Sequence, residues 1–267
     1  MTSRILGLGI ITYNRLPQLQ SLIVSLYERT ARPFYLVIAD DGSTDGTVEW
    51  ARKSGHLIVT SKNRGCAWNK NRALYALLEH SSASIIGLIE DDVTIDASGW
   101  EEIWIAATRK WQHVNWAIDE PSQIKYGKGT VQSPFRCFEF GGVATFTTRS
   151  ALKKIGYLDT RFIRYGAEHL EWTRRFEMYF HNLWGGRIGA APCLKGNLSS
   201  DFSQSWGDEK QFRRNRQVYH QLASEPWYRP WARNAEERRS LLREWKEAYK
   251  IYENHHIKGS KALVRWR

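Results

Sequence analysis

The sequence predicts an α/β fold with a mainly parallel central sheet flanked by helices. Over the first 120 residues, short apolar and β-branched runs alternate with longer runs in which leucines recur at helical spacing. Short polar links join these runs, and such alternation is typical of a doubly wound parallel sheet with right-handed crossovers. The chain of 267 residues contains 13 Trp, 12 Tyr and 10 Phe, so it can fill a sizeable hydrophobic core.

Four strands are predicted in this first part because their residues are apolar, often β-branched and arranged in short runs. In chain order they are Ile5–Thr12, Tyr35–Ala39, Leu57–Thr60 and Ile85–Ile89. Polar residues follow each run at once. We therefore expect four parallel strands with polar segments at their carboxyl ends.

Three helices are predicted between these strands. The first carries leucines at helical spacing, and the second has Ser43 or Thr44 as its N-cap. In the third, Leu74 and Leu77 lie on the face that would turn inward. The predicted ranges are Leu16–Arg29, Thr44–Ser54 and Cys66–Glu79.

The rest of the chain is less regular. The predicted segments are a helix over Gly99–His113, a strand over Asn115–Ile118, a loop over Pro121–Phe138, a strand over Phe140–Thr147 and helices over Ala167–His181 and Asn234–Glu253. We expect one catalytic domain over residues 1–200, with a nucleotide-binding half (1–120) and an acceptor half (121–200). A basic, Trp-rich helical extension follows over residues 201–267.

Polar side chains follow all four predicted strands of the first part. The segments are Thr12-Tyr13-Asn14-Arg15, Asp40-Asp41-Gly42-Ser43, Asn63-Arg64-Gly65 and Glu90-Asp91-Asp92. A parallel sheet would gather them along one edge, where ligands of open α/β sheets bind. Tyr13 could stack on a base, Asp40 or Asp41 could accept hydrogen bonds from a base or ribose, and Arg64 could contact base or phosphate. The acidic triplet offers only oxygen ligands, which suit Mn²⁺ or Mg²⁺.

This combination of motifs resembles the family 2 glycosyltransferases of the GT-A fold over roughly residues 5–185. Glu90-Asp91-Asp92 stands where that fold has its Asp-x-Asp motif, with Glu in place of the first Asp. The resemblance implies Asp92, with Asp91, as metal ligands for Mn²⁺ or Mg²⁺. It also implies an inverting transfer from a nucleoside diphosphate sugar, with a UDP-sugar favoured. The residues that it assigns to the sugar donor are Thr12, Tyr13, Asn14, Arg15, Asp40, Asp41, Arg64, Asn71, Glu90, Asp91 and Gly142.

A catalytic base is expected near residue 168. The run from Gly156 to Trp172 is similar to the family segment in which a Gly-x-Glu-Asp pair begins a helix, but here the pair reads Glu168-His169. Inverting transfer needs a group that takes the proton of the acceptor hydroxyl as it attacks. Glu168 is the first candidate, His169 is an alternative as base or metal ligand, and Glu171 is a third candidate one turn further on.

The sequence is compatible with several acceptors for the sugar. Residues 1–120 hold 12 Lys and Arg against 14 Asp and Glu, whereas residues 121–267 hold 27 against 14. This excess predicts an anionic or phosphate-bearing partner for the second part. A saccharide or lipid-linked glycan is the first alternative, and a modified base of DNA is the second. A rival of another class is a non-catalytic protein that binds nucleotide sugars, although the intact acidic triplet and Glu168 argue against it.

The cysteines and the short apolar runs predict where the protein is located, and two missing motifs exclude two classes of enzyme. Three widely spaced cysteines fit a reducing cytosol, which predicts a cytoplasmic protein. No apolar run is long enough to span a bilayer, so membrane contact would be peripheral, at the inner face. The sequence carries neither a Gly-x-Gly-x-x-Gly dinucleotide motif nor a phosphate-binding Gly-x-x-x-x-Gly-Lys loop. A Rossmann dehydrogenase and a P-loop enzyme are therefore not expected.

Overall fold

The computed structural model describes residues 5–118, 121–186, 189–200, 209–225 and 234–258. The strands in these ranges are β1 (Leu6–Thr12), β2 (Phe34–Asp40), β3 (Ile58–Thr60), β4 (Ile85–Glu90), β5 (Val93–Ile95), β6 (His113–Trp116), β7 (Ile124–Tyr126), β8 (Phe135–Cys137), β9 (Gly141–Thr148), β10 (Ala191–Leu194) and β11 (Leu198–Ser200). The helices are α1 (Leu16–Arg29), α2 (Thr47–Lys53), α3 (Cys66–His80), α4 (Trp100–Trp111), α5 (Arg149–Ile155), α6 (Glu168–Tyr179), α7 (Glu209–Leu222) and α8 (Ala235–Lys258), with one 3-10 turn at Pro121–Gln123.

A nine-stranded sheet forms the centre, in the order β3-β2-β1-β4-β9-β6-β10-β8-β7. The four strands β3, β2, β1 and β4 are parallel, which confirms the sheet predicted for the first part of the chain. Strand β9 is antiparallel to both of its neighbours, β4 and β6. Strands β6 and β10 are again parallel, and β5 pairs with β11 outside the main sheet.

The register of the parallel strands brings their polar ends together. Thr12 at the end of β1 is paired with Asp40 at the end of β2, and Ile11 is paired with Glu90 at the end of β4. Asp40 is also opposite Thr60, the last residue of β3. This confirms that the four polar segments meet at one edge of the sheet.

Two hydrophobic cores cover the two faces of the sheet. Alternate residues of a strand point to opposite faces, and in β1 Ile10 belongs to one core while Ile11 belongs to the other. Helix α3 packs so closely on β1 that a Cβ at Gly9 would lie 2.6 Å from the Cβ of Ala73. Glycine in this strand therefore permits the close approach of the helix that follows the polar end of β3.

Several segments differ from their prediction. The loop expected over Pro121–Phe138 contains the strands β7 and β8, which pair with each other, and β8 also pairs with β10. Pairing across more than 50 residues stabilises β8, so local composition did not indicate it. Helix α2 begins three residues later than expected, because the Asp45 carboxylate accepts from the amide and hydroxyl of Thr47 and holds a turn there.

Helix α8 of the C-terminal extension packs against α3. Leu241, Trp245 and Ala248 of α8 are buried in the core that also contains α3, and Trp245 stacks on His80 at the end of α3. Parts of the predicted extension (201–208, 226–233 and 259–267) lie outside the described residues, and its boundary at residue 200 stays a prediction. Over the ranges that are described, no helix has the length and apolar character needed to cross a membrane.

Candidate active site

A cavity of about 1200 Å³ opens at the edge where the polar strand ends meet. Its walls come from the ends of β1, β2 and β4, from the start of β9, from the turn before α6 and from α7. The predicted site residues that line it are Thr12, Tyr13, Arg15, Asp41, Glu90, Asp91, Asp92, Gly142, Glu168 and His169. The structure therefore brings together the sugar-donor, metal and base candidates in one cavity.

The first acidic group in this cavity is the aspartate pair, Asp91 and Asp92. Arg15 Nη1 lies 3.4 Å from Asp91 Oδ1 and 3.1 Å from Asp92 Oδ2. The other two oxygens, Asp91 Oδ2 and Asp92 Oδ1, are buried and have no hydrogen-bond partner within the described part of the chain. Buried carboxylate oxygens without partners are costly, so the pair is arranged for a cation that would contact them.

Burial dominates the protonation of the aspartate pair. It raises the pKa of Asp91 to about 7, although the Thr12 hydroxyl and Arg15 act in the opposite direction. Burial, together with the nearby charge of Glu90, also raises the pKa of Asp92. One arginine thus compensates the two carboxylates only in part.

The aspartate pair fits a divalent metal. It supplies two buried oxygens without protein partners, and oxygen donors are those that Mn²⁺ and Mg²⁺ prefer. Glu90 stands directly before the pair, at the end of β4, and is partly exposed to the cavity. A doubly charged ion would also provide the compensation that Arg15 leaves incomplete.

The second acidic group consists of Glu90 and Glu168, which both contact Lys70. We call these three residues the lysine centre. Lys70 extends from α3, and its Nζ lies 2.9 Å from Glu90 Oε1 and 3.0 Å from Glu168 Oε1. The same ammonium donates to the carbonyl oxygen of Gly142 at 3.2 Å. Lys70 and Glu168 are almost completely buried, with side chains 1 % and 3 % exposed.

Pairing dominates the protonation of the lysine centre. Burial alone would lower the pKa of Lys70, but the surrounding Cys66, Glu90 and Glu168 hold that pKa well above its usual value. Burial alone would raise the pKa of Glu168, but Lys70 and His169 hold it well below its usual range. Ligand atoms of Cys66, Glu90 and Glu168 lie within 4.8 Å of one another. The Lys70 ammonium, however, already provides a cation for the two carboxylates.

His169 lies beside Glu168 and explains the glycine at position 142. Its Nδ1 is 3.5 Å from Glu168 Oε1, and its Nε2 is 3.2 Å from the carbonyl oxygen of Phe140. A Cβ on Gly142 would lie 2.9 Å from Nδ1 of this ring. Gly142 was predicted to approach the sugar donor, which stays a prediction; what the structure shows is that this glycine makes room for the imidazole.

Glu171, the third base candidate, is directed into the protein. Its side chain is 6 % exposed and pairs with Arg175 at 2.9 Å, one turn along α6. Glu171 does not line the cavity, so it is poorly placed to take a proton from an acceptor. The structure therefore favours Glu168 and His169 over Glu171 as groups that face the cavity.

Two further candidates brace the site from inside. Asp40 is completely buried and accepts from Gly42, Ser43 and Thr60. Asn71 is also completely buried, and its amide makes a reciprocal pair with the backbone of Leu158 at 2.9 and 3.0 Å. These residues support the walls of the site, so direct contact with a sugar donor does not follow from their positions.

The other sugar-donor candidates lie at or near the mouth of the cavity. Tyr13 is 46 % exposed. Asn14, with φ of 52°, donates from its amide to Ser43 Oγ at 2.7 Å and so ties the end of β1 to the turn after β2. Arg64 lies over the ring of Trp68, 4.0 Å from its centroid.

Asp41 faces the cavity and organises the polar segment after β3. It accepts from the backbone amides of Arg64 at 2.9 Å and Gly65 at 2.8 Å. Arg72 Nη1 lies 2.8 Å from Asp41 Oδ1. The sequence placed Lys70 and Arg72 just beyond this polar segment but gave neither residue a role, although both are cations on α3.

The first part of the chain matches a known protein family in sequence. Residues 8–145, a little over half of the 267-residue chain, match the sequence model described as Glycosyl transferase family 2. No curated protein sequence shows a significant match.

Solved structures share the fold at low sequence identity. The chain is similar to the mannosyltransferase PcManGT from Pyrobaculum calidifontis with GDP-Man and Mn²⁺ (18% identity, TM-score 0.58, covering 98% of this chain and 76% of that one). It is also similar to S. aureus TarS with UDP-GlcNAc (13%, 0.53, 97% and 76%). A third similar structure is glucosyl-3-phosphoglycerate synthase from Mycobacterium tuberculosis with Mn²⁺, UDP and glucosyl-3-phosphoglycerate (18%, 0.54, 83% and 79%). The predicted GT-A fold is confirmed, while the DNA alternative gains no support from these names.

Proposed function

Because the chain belongs to glycosyl transferase family 2, we propose that this glycosyltransferase is metal-dependent and inverting, and that it uses a nucleoside diphosphate sugar. The observation that carries the proposal is the aspartate pair, which lines the cavity at the edge where four polar strand ends meet and contains two buried oxygens without partners. A UDP-sugar is the favoured donor. Two of the similar structures bind UDP or a UDP-sugar, and one binds GDP-Man.

The nucleotide would lie across the ends of β1 and β2. Tyr13 is exposed enough to stack on a base. Asp41 lines the cavity and accepts from the turn amides, so it can also accept from a base or ribose. Asp92 and Asp91 would hold Mn²⁺ or Mg²⁺, which supplies charge stabilisation for the departing diphosphate. Arg15, next to the pair, adds a second positive charge at that end.

Glu168 would take the proton of the acceptor hydroxyl. Its pKa is held well below its usual range, chiefly by Lys70 against the effect of burial, so the carboxylate is ionised. Lys70 also bonds Glu90 and the Gly142 carbonyl, which fixes the carboxylate beside the start of β9. His169, in contact with Glu168, is the alternative base.

The acceptor would be anionic. The cavity lining also includes Arg164, Arg174 and Arg216, and no carboxylate of the described residues forms an ion pair with any of them. Arg174 lies over Tyr219 and Arg216 over Phe212, so cations and rings alternate along α6 and α7. Unpaired arginines in a cavity attract phosphate or carboxylate groups. A glycan that carries such a group suits this lining.

The test begins with a thermal-shift panel of nucleotide sugars with and without Mn²⁺. A bound donor raises the melting temperature by mass action, and we expect the largest shift for a UDP-sugar only when Mn²⁺ is present. Hydrolysis of that sugar donor is then measured with Mn²⁺ and with chelator. Binding without metal-dependent turnover would support a non-catalytic nucleotide-sugar protein, and no shift with any donor would refute the proposal.

A further inference from the structure

We propose that helices α7 and α8 position residues of the active site, α7 at the end that holds Glu168 and α8 at the end that holds Asp41. Helix α7 holds the turn that orients Glu168, and helix α8 holds Asp41 through Arg72. The inference rests on the proposed function, in which Glu168 serves the acceptor and Asp41 serves the sugar donor. It makes the C-terminal extension a working part of the catalytic site instead of an appendage.

The turn before α6 has an unusual backbone. Arg164 and Ala167 have φ values of 51° and 66°, a region that residues other than glycine seldom adopt, and Gly166 has φ of 106°. The amide of Gly166 donates to Glu168 Oε2 at 2.8 Å. The direction of the Glu168 carboxylate therefore depends on a turn that needs support from outside itself.

Helix α7 supplies that support through two amide side chains. Asn215 is completely buried, and its Nδ2 lies 2.9–3.0 Å from the carbonyl oxygens of Ile163, Tyr165 and Gly166. Its Oδ1 accepts from the amide of Ile163 at 3.3 Å.

Gln211, one turn earlier on α7, adds bonds to two of the same carbonyls. Its Nε2 lies 3.2 Å from the oxygen of Ile163 and 2.8 Å from that of Tyr165. Removing Asn215 would take one donor from three partly buried carbonyls of the turn, and that of Gly166 is not among those that Gln211 contacts. The turn would then relax, and the Glu168 carboxylate would lose its fixed direction.

Helix α8 supports the nucleotide end in a different way. Glu244 is 7 % exposed, and its Oε2 lies 2.8 Å from Arg72 Nε and 3.3 Å from Trp68 Nε1. The other side of the same guanidinium contacts Asp41 Oδ1 at 2.8 Å. Arg72 is therefore held between a carboxylate of the extension and a carboxylate of the cavity.

The chain of contacts fixes the nucleotide side of the cavity. Asp41 holds the amides of Arg64 and Gly65, so a shift of Arg72 would move both the carboxylate and that loop. Binding energy for a nucleotide depends on such preorganisation, because a loose site must be ordered on binding. Glu244 thus acts on nucleotide binding, whereas Asn215 acts on the reacting end.

The experiment compares Asn215→Ala and Glu244→Gln in the full chain. The controls are Gln217→Ala and Glu247→Gln, which are exposed positions on the same two helices. Two quantities are measured with Mn²⁺ present. One is the Kd of UDP, with GDP as a second probe, by calorimetry. The other is the rate of nucleotide-sugar hydrolysis at saturating donor.

The expected result is a split between the two variants. Asn215→Ala lowers the saturated rate by about 10-fold or more, with the Kd of UDP changed less than about 2-fold. Glu244→Gln weakens the Kd by about 10-fold, with the saturated rate changed less than about 3-fold. Hydrogen exchange at the Gly166 amide accelerates in Asn215→Ala and stays unchanged in Glu244→Gln. Both controls behave like the unmodified protein.

Milder variants keep the test decisive if the first pair does not fold. Gln211→Ala removes only the second set of bonds to the turn, and Glu244→Asp keeps the buried charge but withdraws it from Arg72. The same split is expected at reduced size. Equal proportional changes in Kd and rate for both helices, or no change in either, would overturn the inference. If the unmodified protein binds and hydrolyses no nucleotide sugar, the proposed function fails and the inference fails with it.

Discussion

The aspartate pair and the lysine centre lie in one cavity and are neutralised differently. Arg15, with a side chain 28 % exposed, reaches the aspartate pair from its rim and leaves two oxygens without a partner. Lys70, with a side chain 1 % exposed, lies inside the other centre and contacts both of its carboxylates. The pKa of Asp91 is raised to about 7, whereas that of Glu168 is held well below its usual value.

The difference shows that the effect of burying a carboxylate depends on whether a cation is buried beside it. A buried carboxylate in contact with a buried ammonium stays ionised and needs no further cation. A buried carboxylate with an incomplete partner lacks compensation, which a divalent ion can supply. This difference supports our proposal that the metal binds at Asp91 and Asp92 and that proton transfer occurs at the centre that contains Lys70.

The largest expected effect comes from removing Asp92. Asp92→Ala should lower metal-dependent hydrolysis of the sugar donor on the order of 10³-fold, because the charge on the departing diphosphate is no longer stabilised. Steady-state rates at saturating Mn²⁺ check this. Asp96→Ala is the matched control, since Asp96 is an exposed aspartate four residues further on. A rate for Asp92→Ala close to that of the control would break the assignment.

The two cations should differ in their contribution to stability. Lys70→Met leaves Glu90 and Glu168 without their buried partner, so the free energy of unfolding should fall by roughly 3–5 kcal/mol. Arg15→Met should cost about 1 kcal/mol or less, because Arg15 is partly exposed and contacts the aspartates only at the rim. Urea unfolding of both variants measures the difference. Equal losses would show that the two centres are neutralised alike.

The pH dependence of the metal-free protein should reveal Asp91. Its folded pKa of about 7 lies above the unfolded value near 3.8, so the folded state keeps a proton that the unfolded state releases. Stability from this group is full below about pH 4 and is lost as pH rises to about 7, in total on the order of 4 kcal/mol. Urea unfolding with chelator, from pH 4 to pH 8, measures the slope. Asp91→Asn should flatten it, and an unchanged slope would contradict the account.

The smallest effect is expected at the wall beside His169. A Cβ added by Gly142→Ala would lie 2.9 Å from His169 Nδ1, so the ring must move. We expect about a 10-fold loss of saturated hydrolysis, with Mn²⁺ affinity unchanged. In the double variant with His169→Ala, the glycine substitution should cost much less. Additive losses would mean that Gly142 acts independently of the ring.

The sequence predicted the parts of the site that depend on local patterns. Strands followed by polar residues are visible without a structure, and the parallel-sheet rule places their ends together. The same reasoning did not distinguish Asp40, which faces inward, from Asp41, which faces the cavity. The family resemblance also assigned Asn71 to the sugar donor, and the structure buries Asn71 on α3, where it pairs with the backbone of Leu158.

Long-range contacts account for the remaining differences. Lys70 reaches Glu168 across 98 residues, and Asn215 reaches the turn at Tyr165 across 50. Strand β8 exists because β10 pairs with it. Such partners depend on tertiary packing, which the spacing of residues along one segment does not encode.

Manganese binding tests the central assignment most directly. Binding of Mn²⁺ in the presence of UDP can be followed by electron paramagnetic resonance in the unmodified protein, Asp92→Ala and Glu168→Gln. The account predicts that the unmodified protein and Glu168→Gln bind one ion with similar affinity, whereas Asp92→Ala loses binding. Retained binding in Asp92→Ala, or lost binding in folded Glu168→Gln, would place the metal at the lysine centre and contradict the account.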